Sequence, residues 1–143
     1  MGEAIVVGTD GSATAQRAVA EAVRLAKALG ATVHIVSAYE PLRGVKVASG
    51  AGADLAPLPD AVVDSTLAQA AAVVRMSDVT VETHAVRADP ADALIELAAE
   101  VGASMIVVGN QGMHGAKRIL GSVPNTVSHK ARCNVLVVST DAG

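Results

Sequence analysis

Two short stretches carry residue types and spacings suited to holding an anion. Gly109 to Ser122 reads GNQGMHGAKRILGS and follows the apolar run Ser104-Met105-Ile106-Val107-Val108. Near the start, Ile5-Val6-Val7-Gly8-Thr9-Asp10-Gly11 shares the pattern I-V-V-G-x-x-G with Ile106-Val107-Val108-Gly109-Asn110-Gln111-Gly112. Glycine lets a backbone come close to a ligand and adopt positive φ. Unpaired N–H groups at a following helix start add donors and a partial positive charge. A buried strand running through such a loop into a helix therefore points to a bound nucleotide or a similar anion. Gly109 and Gly112 are placed to bring backbone to phosphate oxygens. Gly121 and Ser122 are expected to meet the same anion at the start of the next helix, a segment that restarts after Pro124. Lys117 and Arg118 read first as a solvated helix face. Asp10 has two readings: a carboxylate capping the first helix, or a group ordering a ribose hydroxyl or a phosphate-bound divalent ion.

The elements that must position these loops follow from apolar periodicity. Ala4 to Gly8 reads as a buried strand. Ser12 caps a helix whose Ala15, Val19, Ala22, Ala26 and Leu29 recur at helical spacing before Gly30 ends it. Thr32 to Tyr39 is a second strand, Ala61 to Met76 a helix, and Val79 to Val86 a strand with the mixed alternation of a sheet edge. Asp89 and Pro90 open a further helix, with Asp92 in its first turn, Leu94, Ile95, Ala98 and Val101 as its core face, and Gly102 as its stop. Met105 to Gly109 and Asn134 to Ser139 are the remaining strands. Five strands alternating with four helices imply one α/β domain over residues 1–143, a doubly wound parallel sheet of order 3-2-1-4-5 with helices on both faces. In that order the first and fourth strands are neighbours whose connections leave toward opposite faces, so a crevice opens beyond their carboxyl ends and both glycine turns line it. Glu40 to Asp60, rich in Gly, Ala and Pro, reads as a mobile loop or lid, or equally as a solvated insertion.

Composition narrows the partners. The chain has 143 residues, no Phe or Trp, and one aromatic, Tyr39. A core of Ala, Val, Leu and Ile suits strands buried on both faces. The near absence of aromatics argues against stacking single-stranded bases, and a net charge of −3 without a basic run argues against a nucleic-acid footprint. No apolar stretch reaches the ~18 residues of a membrane span, and Met1-Gly2-Glu3 does not open a signal peptide. The expected location is the cytoplasm. Cys133, the one cysteine, has no disulfide partner and reads as a small buried residue at the start of the last strand.

The glycine pattern is matched elsewhere along the chain by Thr9-Asp10-Gly11-Ser12 after the opening strand, Ser37-Ala38-Tyr39-Glu40-Pro41 at the second strand end, Asp89-Pro90, and the closing Cys133-Asn134-Val135-Leu136-Val137-Val138. Over nearly its whole length the chain resembles a universal stress protein of the nucleotide-binding branch. The resemblance implies that Thr9, Asp10 and Ala38 flank adenine and ribose, with Ala38 reading the base through its main chain. It also implies that Val108, Gly109, Gly112, Gly121, Ser122 and Val123 surround the sugar and phosphates. A further implication is a homodimer in which the last strands pair antiparallel, and the apolar edge from Asn134 to Ser139 suits that. Two positions depart from the family pattern. Eight residues, Met113 to Leu120, separate Gly112 from Gly121 where the family has nine, and Ala88 stands where the family often has glycine.

The resulting expectation is a homodimeric stress-response regulator that binds ATP with Mg²⁺ and signals by nucleotide-dependent conformation, ordering the 40–60 loop or Met113 to Leu120. Three alternatives stay open: a dimeric scaffold with a decayed site, a binder of cyclic AMP, and a slow ATPase. No catalytic constellation stands out, since the chain has neither a G-x-x-x-x-G-K-[ST] loop nor a nucleophile elbow. The four histidines, His34, His84, His114 and His129, stand at no tight ligand spacing, so no metal site is expected of them. His114, inside the glycine loop, is a candidate phosphate contact.

Overall fold

The computed structural model describes residues 2–39, 59–110 and 117–139, without the side chains of 59–61 and 117–122. Along the chain run β1 (Ala4–Gly8), α1 (Ala13–Leu29), β2 (Thr32–Tyr39), α2 (Pro59–Met76), β3 (Val81–Arg87), α3 (Pro90–Val101), β4 (Met105–Gly109), α4 (Lys117–Lys130) and β5 (Asn134–Val138). The strands form one parallel sheet in the order β3-β2-β1-β4-β5, as the alternation of strands and helices predicts. The expected loop or lid from Glu40 to Asp60 falls outside the described residues as far as 58, and so does the stretch 111–116.

Strand alternation divides the core in two. Ile5, Val7, Val33, Ile35 and Val107 point to the face covered by α1 and α2, where they pack on Ala18, Val19, Ala22, Leu67 and Val74. Val6, Val36, Ile106 and Val108 point the other way, against Leu94, Leu97 and Ala98 of α3 and Val127 of α4. Successive residues facing opposite layers is what a strand buried on both sides requires. The small alanines of α1 and α3 let helix backbones lie close to the sheet.

Helix ends follow local chemistry. Ser12 caps α1, its Oγ accepting from Ala15 N at 3.1 Å, and Gly30 closes it at φ +68°. Asp89 caps α3, its Oδ2 accepting from Ala91 N at 3.3 Å, with Pro90 at the first position and Gly102 at φ +64° beyond the end. Three expected core residues are not buried: Ile95 and Val101 of α3 are half-buried, and Leu29, in the last turn of α1, is 45% exposed. A larger correction concerns α4. It begins at Lys117, not beyond Pro124, and carries Pro124 inside it. Proline removes one N–H from the helix ladder, but burial of Val127 and packing of Val123 against the second core layer favour one continuous helix. The Ser128 hydroxyl donates to the Pro124 carbonyl at 2.7 Å.

Candidate functional site

Both I-V-V-G strands end at the same edge of the sheet. β1 pairs with β4, Ile5 beside Met105 and Val7 beside Val107, so the strand ends at Gly8 and Gly109 lie side by side. Because α1 leaves toward one face and the chain to α4 toward the other, a cleft opens between them, as expected at the switch point of a doubly wound sheet. Its cavity volume is about 110 Å³, and Thr9, Asp10, Ala38, Val108, Gly109 and Val123 all line it. Six of the nine site residues expected from sequence are thus brought together. Gly112 lies outside the described residues. Gly121 and Ser122 stand in the second turn of α4 and not at a helix start, where regular helix geometry commits their N–H groups to carbonyls four residues back.

The turn after β1 is held by its own polar groups. Thr9 is buried, donates its N–H to the Val36 carbonyl at 3.0 Å, and accepts the Gly11 N–H on Oγ1 at 3.1 Å. Gly11 takes φ +85°, the left-handed region that glycine enters without strain. That turn leaves Asp10 exposed, where Oδ1 accepts the Ser12 N–H at 3.0 Å; Ser12, and not Asp10, is the N-cap of α1. At Gly8 the backbone is hemmed in as well: a Cβ there would meet Leu94 Cδ2 at 3.2 Å.

The cleft wall also includes Val36, Pro90, Ala93, Leu94 and Pro124, which the motifs did not single out. Period-2 alternation was the available signal, since Val36 shares a sheet face with Ala38. Among the described lining residues Asp10 is the sole ionisable side chain, and Thr9 adds the one hydroxyl. The surface is therefore apolar with exposed backbone, suited to a flat uncharged ring. Among the described lining residues, charge on a ligand would be met by backbone N–H groups or by an ion at Asp10. A second cavity, about 390 Å³, lies at the opposite end of β4 and β5, with Cys133 on its wall and neither glycine turn near it. Burial pushes the Cys133 thiol above its ordinary pKa, so it stays protonated near neutral pH.

Two of the histidines, distant in sequence, meet in the fold. Parallel register places His34 of β2 beside Glu82 of β3, and His84 stands two residues further along the same face. His34 Nδ1 and His84 Nε2 are 3.1 Å apart, and His34 Nδ1 is 3.8 Å from Glu82 Oε1. Burial lowers the His34 pKa from its ordinary value, opposed by the Glu82 carboxylate and reinforced by His84. Fifty residues separate the two histidines, so sequence spacing concealed their contact.

An open parallel sheet with a cleft at its switch point defines a doubly wound α/β protein. The family model for the universal stress protein family matches residues 1–139, and the chain belongs to that family. A universal stress protein of Mycobacterium tuberculosis is 38% identical over 144 residues, covering 95% of each chain. The crystal structure of a universal stress protein in complex with cAMP is 35% identical, covers 98% of both chains and superposes with a TM-score of 0.72. The universal stress protein from Archaeoglobus fulgidus in complex with dAMP is 26% identical, covers 95% of this chain and 97% of its own, and also has a TM-score of 0.72.

Proposed function

We propose that this protein is a stress-response regulator that binds an adenine nucleotide in the switch-point cleft, with Thr9, Asp10 and Ala38 against the adenosine half. The observation that carries this reading is that the carboxyl ends of β1 and β4, Gly8-Thr9-Asp10 and Val108-Gly109, open onto one apolar cleft. The complexes of the two related structures with cAMP and dAMP support the same ligand class. Val36, Ala38, Leu94 and Val108 offer the apolar walls that a purine needs, and Gly109 stands at the end of β4 beside them. ATP is the ligand that the long glycine stretch suggests, and Asp10 is the side chain that would hold an accompanying Mg²⁺. Bound there, Mg²⁺ would neutralise phosphate charge beside an otherwise uncharged wall.

Cyclic AMP is a second reading, favoured by one observation. With Gly121 and Ser122 inside α4, fewer backbone donors face the cleft, and a single phosphate needs fewer than a triphosphate does. Calorimetric titration of nucleotide-stripped protein with ATP–Mg²⁺, AMP and cAMP distinguishes these ligands. A micromolar constant near one site per chain supports nucleotide binding, and the tighter ligand identifies the phosphate requirement. If ATP is the ligand, Ser122→Ala should weaken it about tenfold through loss of a charge-assisted hydrogen bond. No heat from any of the three up to millimolar concentration, from folded protein, overturns the reading and leaves the dimeric scaffold. We further propose that the protein works as a homodimer joined along β5.

A further inference from the structure

We propose that His34, Glu82 and His84 form a binding site for one Zn²⁺ ion on the β2–β3 face of the sheet, separate from the nucleotide cleft. Two donors come from one strand: Glu82 and His84 alternate onto the same face, as residues two apart in a strand must. The third comes from the neighbouring strand, where register sets His34 directly beside Glu82. The three donor atoms, one imidazole nitrogen from each histidine and one carboxylate oxygen, lie within 4.8 Å of one another. Tetrahedral zinc with bonds near 2.0–2.1 Å holds its ligands about 3.3 Å apart. The observed 3.1 Å between His34 Nδ1 and His84 Nε2 already meets that spacing, and the 3.8 Å from His34 Nδ1 to Glu82 Oε1 is close to it. Glu82 has an exposed side chain, 60% accessible, so a small rotation closes the remaining gap.

The donor set selects the ion. Two imidazoles with one carboxylate suit a borderline transition metal, whereas Mg²⁺ and Ca²⁺ require oxygen ligands. Three protein ligands leave the fourth tetrahedral position for water, which can reach it from the Glu82 side. The rest of the site is preorganised by the fold: His34 is buried on a face of β2. The same strand face carries Val36 and Ala38 onward into the cleft, so the ion would sit on a strand that also lines that cleft. The proposal does not depend on whether a nucleotide binds.

Calorimetric titration of the metal-stripped, nucleotide-free protein with Zn²⁺ alone tests it. One high-affinity site per chain is expected, weakened about 30-fold or more in His84→Ala and about tenfold in Glu82→Gln, since each removes one of three ligands. Glu82→Gln is an exposed, isosteric change and keeps the test valid if His84→Ala fails to fold. Nitrogen NMR of the imidazoles adds a readout tied to the geometry: Zn²⁺ should shift Nδ1 of His34 and Nε2 of His84 and leave both nitrogens of His129 unmoved. Absence of a high-affinity site overturns the proposal. So does Zn²⁺ binding that survives both substitutions, because the ion is then held elsewhere and the two rings simply share a hydrogen bond.

Discussion

At Gly11 a single methyl group would act on the turn beside the cleft through backbone strain. Its φ of +85° lies in the region that costs an L-residue about 1–2 kcal/mol, and a Cβ would stand 3.4 Å from Thr66 Oγ1. Gly11→Ala should therefore lower unfolding free energy by about 1–2 kcal/mol, seen as a shifted denaturant midpoint with unchanged slope. The same substitution strains the turn that holds Thr9 Oγ1 on the Gly11 N–H, so nucleotide affinity should fall with stability. Ala38 offers the complementary experiment. It lines the cleft half-buried at the end of β2, and Ala38→Phe places a ring in the space assigned to adenine without altering the backbone. Nucleotide binding should drop at least about tenfold, as expected when an apolar pocket is filled, while the thermal midpoint moves little. Retained affinity in a folded Ala38→Phe protein would move the adenine elsewhere.

At the scale of elements, α3 shows how far a local signal reaches. Asp89 supplies the capping oxygen and its carbonyl accepts the Ala93 N–H at 2.9 Å. Asp89→Ala should cost about 1 kcal/mol, a typical N-cap loss, readable by thermal or denaturant unfolding. Because Pro90 and Ala93 lie on the cleft wall, fraying of this turn should weaken nucleotide binding as well. An unchanged midpoint would mean that packing of Leu94 and Leu97 alone holds the helix start. Elements bounded by such caps were legible in the sequence: α1 between Ser12 and Gly30, α3 between Asp89 and Gly102. Their ends depend on two or three neighbouring residues. The start of α4 was not, because Gly121 and Pro124 are local helix breakers, and what overrides them is the burial of Val127 and Val123 against a sheet the local sequence does not describe. The cleft lay between these cases. Asp10 and Gly109 declared themselves by the repeated I-V-V-G turn, and Thr9 and Val108 by the family resemblance, whereas Leu94 and Ala93 reach the cleft only through the crossing of α3 over the sheet. The His34–Glu82–His84 group was least legible, since it exists only in the register of β2 against β3.

At the scale of the whole molecule, the sheet has two edges and they differ in kind. β3 is interrupted by Glu82, Thr83, His84 and Arg87, and such polar and charged residues keep an edge from pairing with another chain. β5 reads Asn134-Val135-Leu136-Val137-Val138 and leaves Val137 41% exposed, an apolar edge with nothing to deter pairing. The direction of its backbone groups makes the homodimer testable. Asn110 donates its N–H to the Val138 carbonyl at 3.0 Å, so Val138 faces β4. Backbone groups of successive residues alternate in direction along a strand, so the N–H and carbonyl of Val137 face the open edge. Val137→Pro then removes a donor needed by a partner strand while sparing the β4–β5 ladder, and an edge strand tolerates proline. The unmodified protein should run as a dimer by light scattering at micromolar concentration. Val137→Pro should run at half that mass with unchanged circular dichroism. A Val137→Pro protein that stays dimeric would place the interface on another surface, and an unmodified protein that is already monomeric would remove β5 pairing altogether. Nucleotide affinity measured on the monomeric variant then separates the two roles: an unchanged constant means each cleft is complete within one chain.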